Sequence, residues 1–389
     1  MSSAPTEENV PPSTGSTEGV GAVSTGRRLP VNPDALEAMA RERLPRMVYD
    51  YYAGGAEDEV TLAGNREAYR RLALRSRVLV DVSGIDTSLQ LLGHDLRHPI
   101  LLAPTAFQRL AHPEGELATA RGAKRAGAIL VASSLSTCSV EEIALEAIGS
   151  LWFQLYVFRD RDLTRDLVHR AEESGATALA LTVTVPVQGL RERDRANAFR
   201  LPVELGISNF HGYSQERLSA GADGSALEAF IGDNFDSSLS WNVLAWLRSI
   251  TRLPVLVKGI LTQEDASLAL EHGAAGIIVS NHGGRQLDGA LPTAIALPSV
   301  ADAVGGAVPV LVDGGIRRGS DVLKALALGA RAVLIGRPYL WGLAVAGDVG
   351  VATVVEDLEA GLRRAMALTG RVRLADIDRT VLQSMPWLA

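Results

Sequence analysis

The sequence predicts a single (β/α)8 barrel, and three observations carry that expectation. Eight short apolar runs rich in Val, Ile and Leu recur from residue 99 to residue 335. They do not alternate with polar residues, which suits parallel strands buried on both faces. Amphipathic stretches of helical length separate them. Several of these end on a glycine just before the next run, where a C-terminal cap takes positive φ. Eight strand–helix units in series predict a closed barrel, with a doubly wound sheet as the alternative.

Taken in order, residues 1–27 are mostly Ser, Thr, Gly, Pro, Glu and small residues. They have no apolar h-region, so they read as a disordered tail and not as a secretory signal. Residues 28–389 form one domain. The length of 389 residues would suggest two or three domains by simple division, but a barrel takes about 250 residues as one unit. Residues 34–75 read as a helical lead-in that plugs or flanks the barrel. The strand runs are Pro99–Ala103, Ala128–Ala132, Leu151–Val157, Ala178–Val185, Pro254–Lys258, Ala275–Ser280, Pro309–Asp313 and Ala332–Ile335. The helices between them are Glu114–Ala126, Ser139–Ala147, Asp162–Ser174, Trp241–Ile250, Thr262–His272, Ile295–Val304 and Ser320–Leu328. Gly127, Gly175, Gly273 and Gly329 suit C-terminal caps, and Thr262 and Ser320 suit N-caps. Residues 188–240, after the fourth strand, are long and polar, as in a lid, a binding loop or a disordered insert. Residues 350–389 read as C-terminal helices packed outside the barrel.

Hydrophobic residues make up 47% and charged residues 21%, which excludes a wholly disordered chain and a coiled coil. Net charge is −7, so no overall basic excess favours nucleic acid. No apolar run reaches the roughly 18–20 residues of a membrane span. The single cysteine, Cys138, excludes an internal disulfide and a multi-cysteine metal site, and fits a cytoplasmic protein. No metal is expected.

The seventh unit ends its strand with Asp313-Gly314-Gly315-Ile316-Arg317-Arg318-Gly319, the eighth with Ile335-Gly336-Arg337-Pro338. Barrel phosphate sites commonly use these two loops, and Arg317 and Arg337 offer forked donors. Two tight turns carrying surface arginines are the alternative. The sixth strand ends in Val279-Ser280-Asn281-His282-Gly283-Gly284-Arg285-Gln286-Leu287-Asp288. A histidine at a C-terminal strand end can serve as general base, and Arg285 can hold a carboxylate. The other histidines, at 94, 98, 112, 169, 211 and 272, read as structural. Lys258 closes the fifth strand, where its ammonium either meets developing negative charge or snorkels to solvent.

These segments, with Leu44–Asp58, Leu102–Ala106, Ala111–Glu116 and Phe153–Tyr156, resemble the FMN-dependent 2-hydroxy acid oxidase and dehydrogenase family, which includes glycolate oxidase and mandelate-type oxidases. The similarity runs from about Pro33 to Met385. It implies FMN as cofactor, a small 2-hydroxy acid substrate, oxygen as acceptor with hydrogen peroxide as product, and a homotetramer. By the same resemblance, Pro104, Thr105 and Ala106 face the flavin ring, and Ser133, Gln154 and Thr182 meet its polar edge. Lys258 lies beside N1 and O2. Ser280 and Asp313 contact the ribityl chain, and Gly315, Arg317, Gly336 and Arg337 cradle the phosphate. Tyr51, Arg191 and Arg285 bind the substrate carboxylate, Tyr156 contacts its hydroxyl, and His282 takes the hydroxyl proton. Without the resemblance, Tyr51 and Tyr156 would read as packing residues.

The sequence departs from the family at Thr184, where an aspartate normally pairs with the base histidine. A charge-assisted hydrogen bond is worth about 1.5–3 kcal/mol against roughly 1 for a neutral one. The expected loss is about one order of magnitude in rate, and more if the tautomer is wrong. The chain is then a slower oxidase, an oxidase of an activated substrate, or a flavin enzyme of changed reaction: a dehydrogenase, a monooxygenase or an oxidative decarboxylase. A non-catalytic flavoprotein and a flavin-free phosphate-binding barrel are further readings. Asp194 and Asp288 are the carboxylates nearest in sequence. Leu135 stands where glycolate oxidase has a tryptophan, and Gln188 replaces an apolar residue. Loss of the bulky ring at Leu135 predicts a larger pocket, which Phe107 would partly refill.

Overall fold

The computed structural model describes Met1, Leu29 and residues 32–202, 204–210 and 226–385. Apart from Met1, the expected tail 1–27 lies outside the described residues. The strands are β1 (Ile100–Leu102), β2 (Leu130–Ser133), β3 (Leu151–Leu155), β4 (Leu179–Thr182), β5 (Val255–Ile260), β6 (Gly276–Val279), β7 (Val310–Val312) and β8 (Ala332–Ile335). All eight are parallel, and β8 pairs back onto β1 with Leu334 opposite Leu101. The sheet is therefore a closed barrel and not the doubly wound alternative.

The unbroken apolarity of the strands has a direct cause. Successive side chains enter two different cores. Leu101, Val131, Trp152, Ala180, Leu256, Ile278, Leu311 and Leu334 fill the barrel interior. Their neighbours Ile100, Leu102, Leu130, Phe153, Leu181 and Val257 pack outward under the helices.

The helices fall where the periodicity put them, within one or two residues. Gly127, Gly175, Gly273 and Gly329 take φ of 73°, 91°, 79° and 115°. The Thr262 hydroxyl accepts from the Asp265 amide at 3.2 Å. Ser320 is a correction: it lies inside the helix Gly319–Ala327. The Asp321 carboxylate instead receives the Arg317 and Arg318 amides, and so stabilises the first turn.

The lead-in forms three helices, Pro33–Arg43, Arg46–Ala53 and Val60–Arg70, and flanks the barrel. The plug is a different element, a hairpin of Leu89–Leu91 and His94–Leu96 whose Leu89, Leu91 and Leu96 join the interior cluster. Residues 188–240 carry the helices Glu192–Ala196 and Ala226–Asn234.

The C-terminal expectation also needs correction. One long segment, Arg337–Leu368, follows β8 directly and is broken at Ala346 and Gly347. Beyond it lie two 3-10 turns and a strand, Leu382–Ser384, paired with Leu72–Leu74. Arg337–Leu368 is the one helix among the described residues long and apolar enough to cross a membrane, but most of its apolar stretch is buried in the protein.

Candidate active site

Every residue the sequence assigned to the site, apart from Ser280, lines one cavity at the C-terminal ends of the strands. The barrel explains the convergence. Gln154 and Thr182 lie at the ends of β3 and β4, Lys258 lies in β5, and the glycine loops follow β7 and β8. The lead-in adds Tyr51.

Ser280 stands one layer behind the wall, fully buried. Its hydroxyl donates to Asp313 Oδ1 at 2.7 Å and accepts from Lys258 Nζ at 2.9 Å and the His282 amide at 3.1 Å. Lys258 also meets Asp313 Oδ2 at 2.9 Å. This network fixes the ammonium at the cavity floor and anchors the backbone just before the base.

His282 has φ of 57°, a left-handed conformation uncommon for a side chain of this size. Its Nδ1 lies 2.8 Å from Thr184 Oγ1, and Nε2 has no protein partner among the described residues. Burial first, then the cations Lys258, Arg191, Arg285 and Arg337, hold the imidazole well below its usual pKa. It is therefore neutral at pH 7. Neither other carboxylate compensates for Thr184. Asp288 receives the Val60 and Thr61 amides at the start of a lead-in helix, and Asp194 faces Arg191 at 3.9 Å.

Tyr51 stacks on Phe199 with centroids 4.3 Å apart, beneath the Arg285 guanidinium at 5.0 Å. Tyr156 packs on Phe235 at 4.5 Å. Burial raises the pKa of both phenols, so both remain hydrogen-bond donors at neutral pH. Burial also lowers Arg191 to about 10. Arg285 Nη1 is held by the carbonyls of Tyr51 and Gly54 at 2.5 and 2.9 Å.

The donor set suits FMN. Gln154 Nε2, Thr182 Oγ1 and Arg317 Nε are buried without a protein partner. Such groups are costly unless a ligand satisfies them. Thr182 is paired with Lys258 across β4 and β5, Gln154 lies on the neighbouring β3, and together they match the polar edge of a flavin ring. Pro104 and Ala106 offer an apolar surface to its face. At the other end, burial pulls Arg317 to about 10 and Arg337 to about 9, two crowded cations that an anion would relieve. Arg337 is already bound to the carbonyls of Tyr52, Gly54 and Gly283, so it tenders its charge more than free donors. Gly315 has a second reason to be glycine: a Cβ there would lie 2.0 Å from the Asn65 carbonyl.

Several contributors were given no role by the sequence. Leu227 and Ile231, from the loop after β4, line the cavity beside Leu135 and Val185. Gln286 donates to the Thr184 and Val187 carbonyls at 2.8 and 2.9 Å and accepts from the Gly189 amide and Arg191, each at 3.3 Å. Phe107 does not refill the pocket. It is fully buried against Tyr51 and, like Gln188, is not part of the wall.

Residues 40–384 match the FMN-dependent dehydrogenase family. The chain is 51% identical to glycolate oxidase 3 of Arabidopsis thaliana over 348 residues, 90% of this chain and 94% of that one. It is 50% identical to the glycolate oxidase of Spinacia oleracea over 349 residues, with the same coverage. A crystal structure of mandelate oxidase with (S)-4-hydroxymandelic acid superposes with a TM-score of 0.86 at 45% identity, covering 91% of this chain and 99% of that one. With its closed barrel, its rim of buried cations and this extent of likeness, the chain belongs to the FMN-dependent dehydrogenase family.

Proposed function

We propose that the protein oxidises a 2-hydroxy acid to the 2-oxo acid, using FMN and passing electrons to oxygen with release of hydrogen peroxide. The observation that carries this is the grouping of a neutral base, His282, with Arg191, Arg285, Tyr51 and Tyr156 in one cavity. A flavin-binding protein without chemistry would need none of these five.

Ser133, Gln154, Thr182, Lys258 and Asp313 would hold the ring and ribityl portions, with Ser280 supporting them from behind. Gly315, Arg317, Gly336 and Arg337 would hold the phosphate, and residues 104–106 the ring face. FMN, when bound, accepts the two electrons and the hydrogen leaving the substrate's α-carbon. Arg191 and Arg285 pair with the substrate carboxylate, an interaction strengthened by the low polarity of the site. Tyr51 and Tyr156 donate hydrogen bonds to its oxygens. His282 Nε2 receives the hydroxyl proton, which it can do because burial and its cationic neighbours keep it unprotonated.

Leu135, Val185, Leu227 and Ile231 give the substrate's side chain an apolar wall. That favours a longer aliphatic or aromatic acid over glycolate. The family resemblance supports a homotetramer, and the buried free thiol of Cys138 suits the cytoplasm.

Anaerobic mixing of the yellow protein with glycolate, lactate, longer aliphatic 2-hydroxy acids and mandelates tests the reading. Bleaching should be fastest with the bulky apolar acids. Oxygen should then restore the colour and yield peroxide. No bleaching by any of them, with FMN bound, would overturn the proposal.

A further inference from the structure

The base has an unusual partner. Among the described residues, the only side chain bonded to the His282 ring is a hydroxyl, that of Thr184 at 2.8 Å. Thr184 is held at two points, its main chain and its methyl. The Thr184 carbonyl is tied to Gln286 Nε2 at 2.8 Å. Its methyl lies over Gly259, so close that a Cβ on that glycine would be 2.4 Å from it. With methyl and carbonyl both committed, the hydroxyl faces the imidazole.

A hydroxyl both donates and accepts, whereas a carboxylate only accepts. When Nδ1 carries the proton, Thr184 accepts it and leaves Nε2 free to act as base. When Nε2 carries the proton, Thr184 can rotate its own hydrogen toward Nδ1. The contact thus orients the ring without choosing its tautomer. Nor does it supply a countercharge once His282 has taken up a proton.

Among the described residues, no other side chain supplies one. From β5, Lys258 is paired with Asp313 of the loop after β7. From the loop after β4, Arg191 faces Asp194. Arg285 on the same loop as His282, and Arg337 after β8, add positive charge. Tyr51 and Tyr156 are neutral donors.

We propose, on the functional reading above, that Thr184 is the positioning residue of the base. It aligns His282 for proton transfer while leaving the ring uncharged and free of a carboxylate partner, so that the enzyme keeps a competent base into acidic solution and gives up part of its turnover at neutral pH.

Three variants of the holoenzyme test this. Thr184→Val keeps the shape against Gly259 and removes the oxygen. It should lower kcat about fivefold or more with little change in KM, the scale of one neutral hydrogen bond. Thr184→Ser restores the hydroxyl and should return kcat to within about twofold of the parent. Thr184→Asp adds the missing charge. It should move the acid limb of kcat/KM upward by about one pH unit or more and raise turnover near neutral pH. A Thr184→Val enzyme with the parent's kcat and pH profile would overturn the proposal. So would a folded, FMN-bound Thr184→Asp enzyme whose acid limb does not move.

A nitrogen-15 titration of labelled histidine separates this outcome from failure of the functional reading, because it needs no substrate. The His282 signal is identified by its loss in His282→Gln. Thr184→Asp should raise the pH at which His282 titrates. If the parent reduces FMN with no 2-hydroxy acid but this shift appears, the functional reading falls and the positioning role stands. If the shift is absent, the positioning role falls.

Discussion

At His282 the strand end, the ring's hydrogen bond and the backbone conformation all converge on one task. The residue is replaceable as structure but not as chemistry. His282→Ala should lower turnover by about 10² or more, the usual scale for a general base, while the flavin absorbance stays with the protein. Loss of FMN in that variant would assign His282 to cofactor binding instead. His282, Lys258 and the two glycine loops could be read from the sequence because each closes an apolar strand, and barrel chemistry sits at those ends. Ser280 shows the limit of such reading. Alternation says which way a side chain points, but not whether a lysine stands in front of it. Leu227 and Ile231 were illegible for another reason: they are ordinary apolar residues in a long insert, and only the folded loop brings them to the cavity.

Among the elements, the loops after β4 and β6 behave as one unit because the Gln286 amide joins them. Gln286→Ala should free Arg191 and slacken the segment holding Thr184. We expect KM to rise about tenfold with a smaller fall in kcat, the signature of lost substrate binding. Steady-state kinetics with FMN saturating would show it, and an unchanged KM would mean that Arg191 is held adequately by the Arg285 carbonyl. Gln286 lies within the sixth-strand motif, but the sequence gives it no role, since its work is done wholly through main-chain groups and one arginine. The helices were legible because period and glycine caps agree. The Ser320 assignment failed because an aspartate one residue later can accept two amides at once.

For the whole molecule, the number of apolar runs predicted a barrel but left a doubly wound sheet open, and the pairing of β8 with β1 decides between them. The plugging hairpin was not legible, because its three-residue strands are too short to establish a period. The cavity concentrates Lys258, Arg191, Arg285, Arg317 and Arg337 against few carboxylates, so the cofactor should act as a structural part. Removing FMN should lower the melting temperature, and readdition should restore it. At a free concentration near 100 times its dissociation constant, FMN should contribute about 2.7 kcal/mol. Thermal melts across an FMN series would measure this, and a melting temperature independent of FMN would contradict it.

The left-handed backbone at His282 has a consequence for how this enzyme can be improved. Glycine enters that conformation without the steric cost that any other side chain bears. A laboratory screen that rewards only heat resistance would therefore drift toward glycine at 282 and discard the base. Selection at this position has to read product, because survival of the fold and turnover pull in opposite directions there.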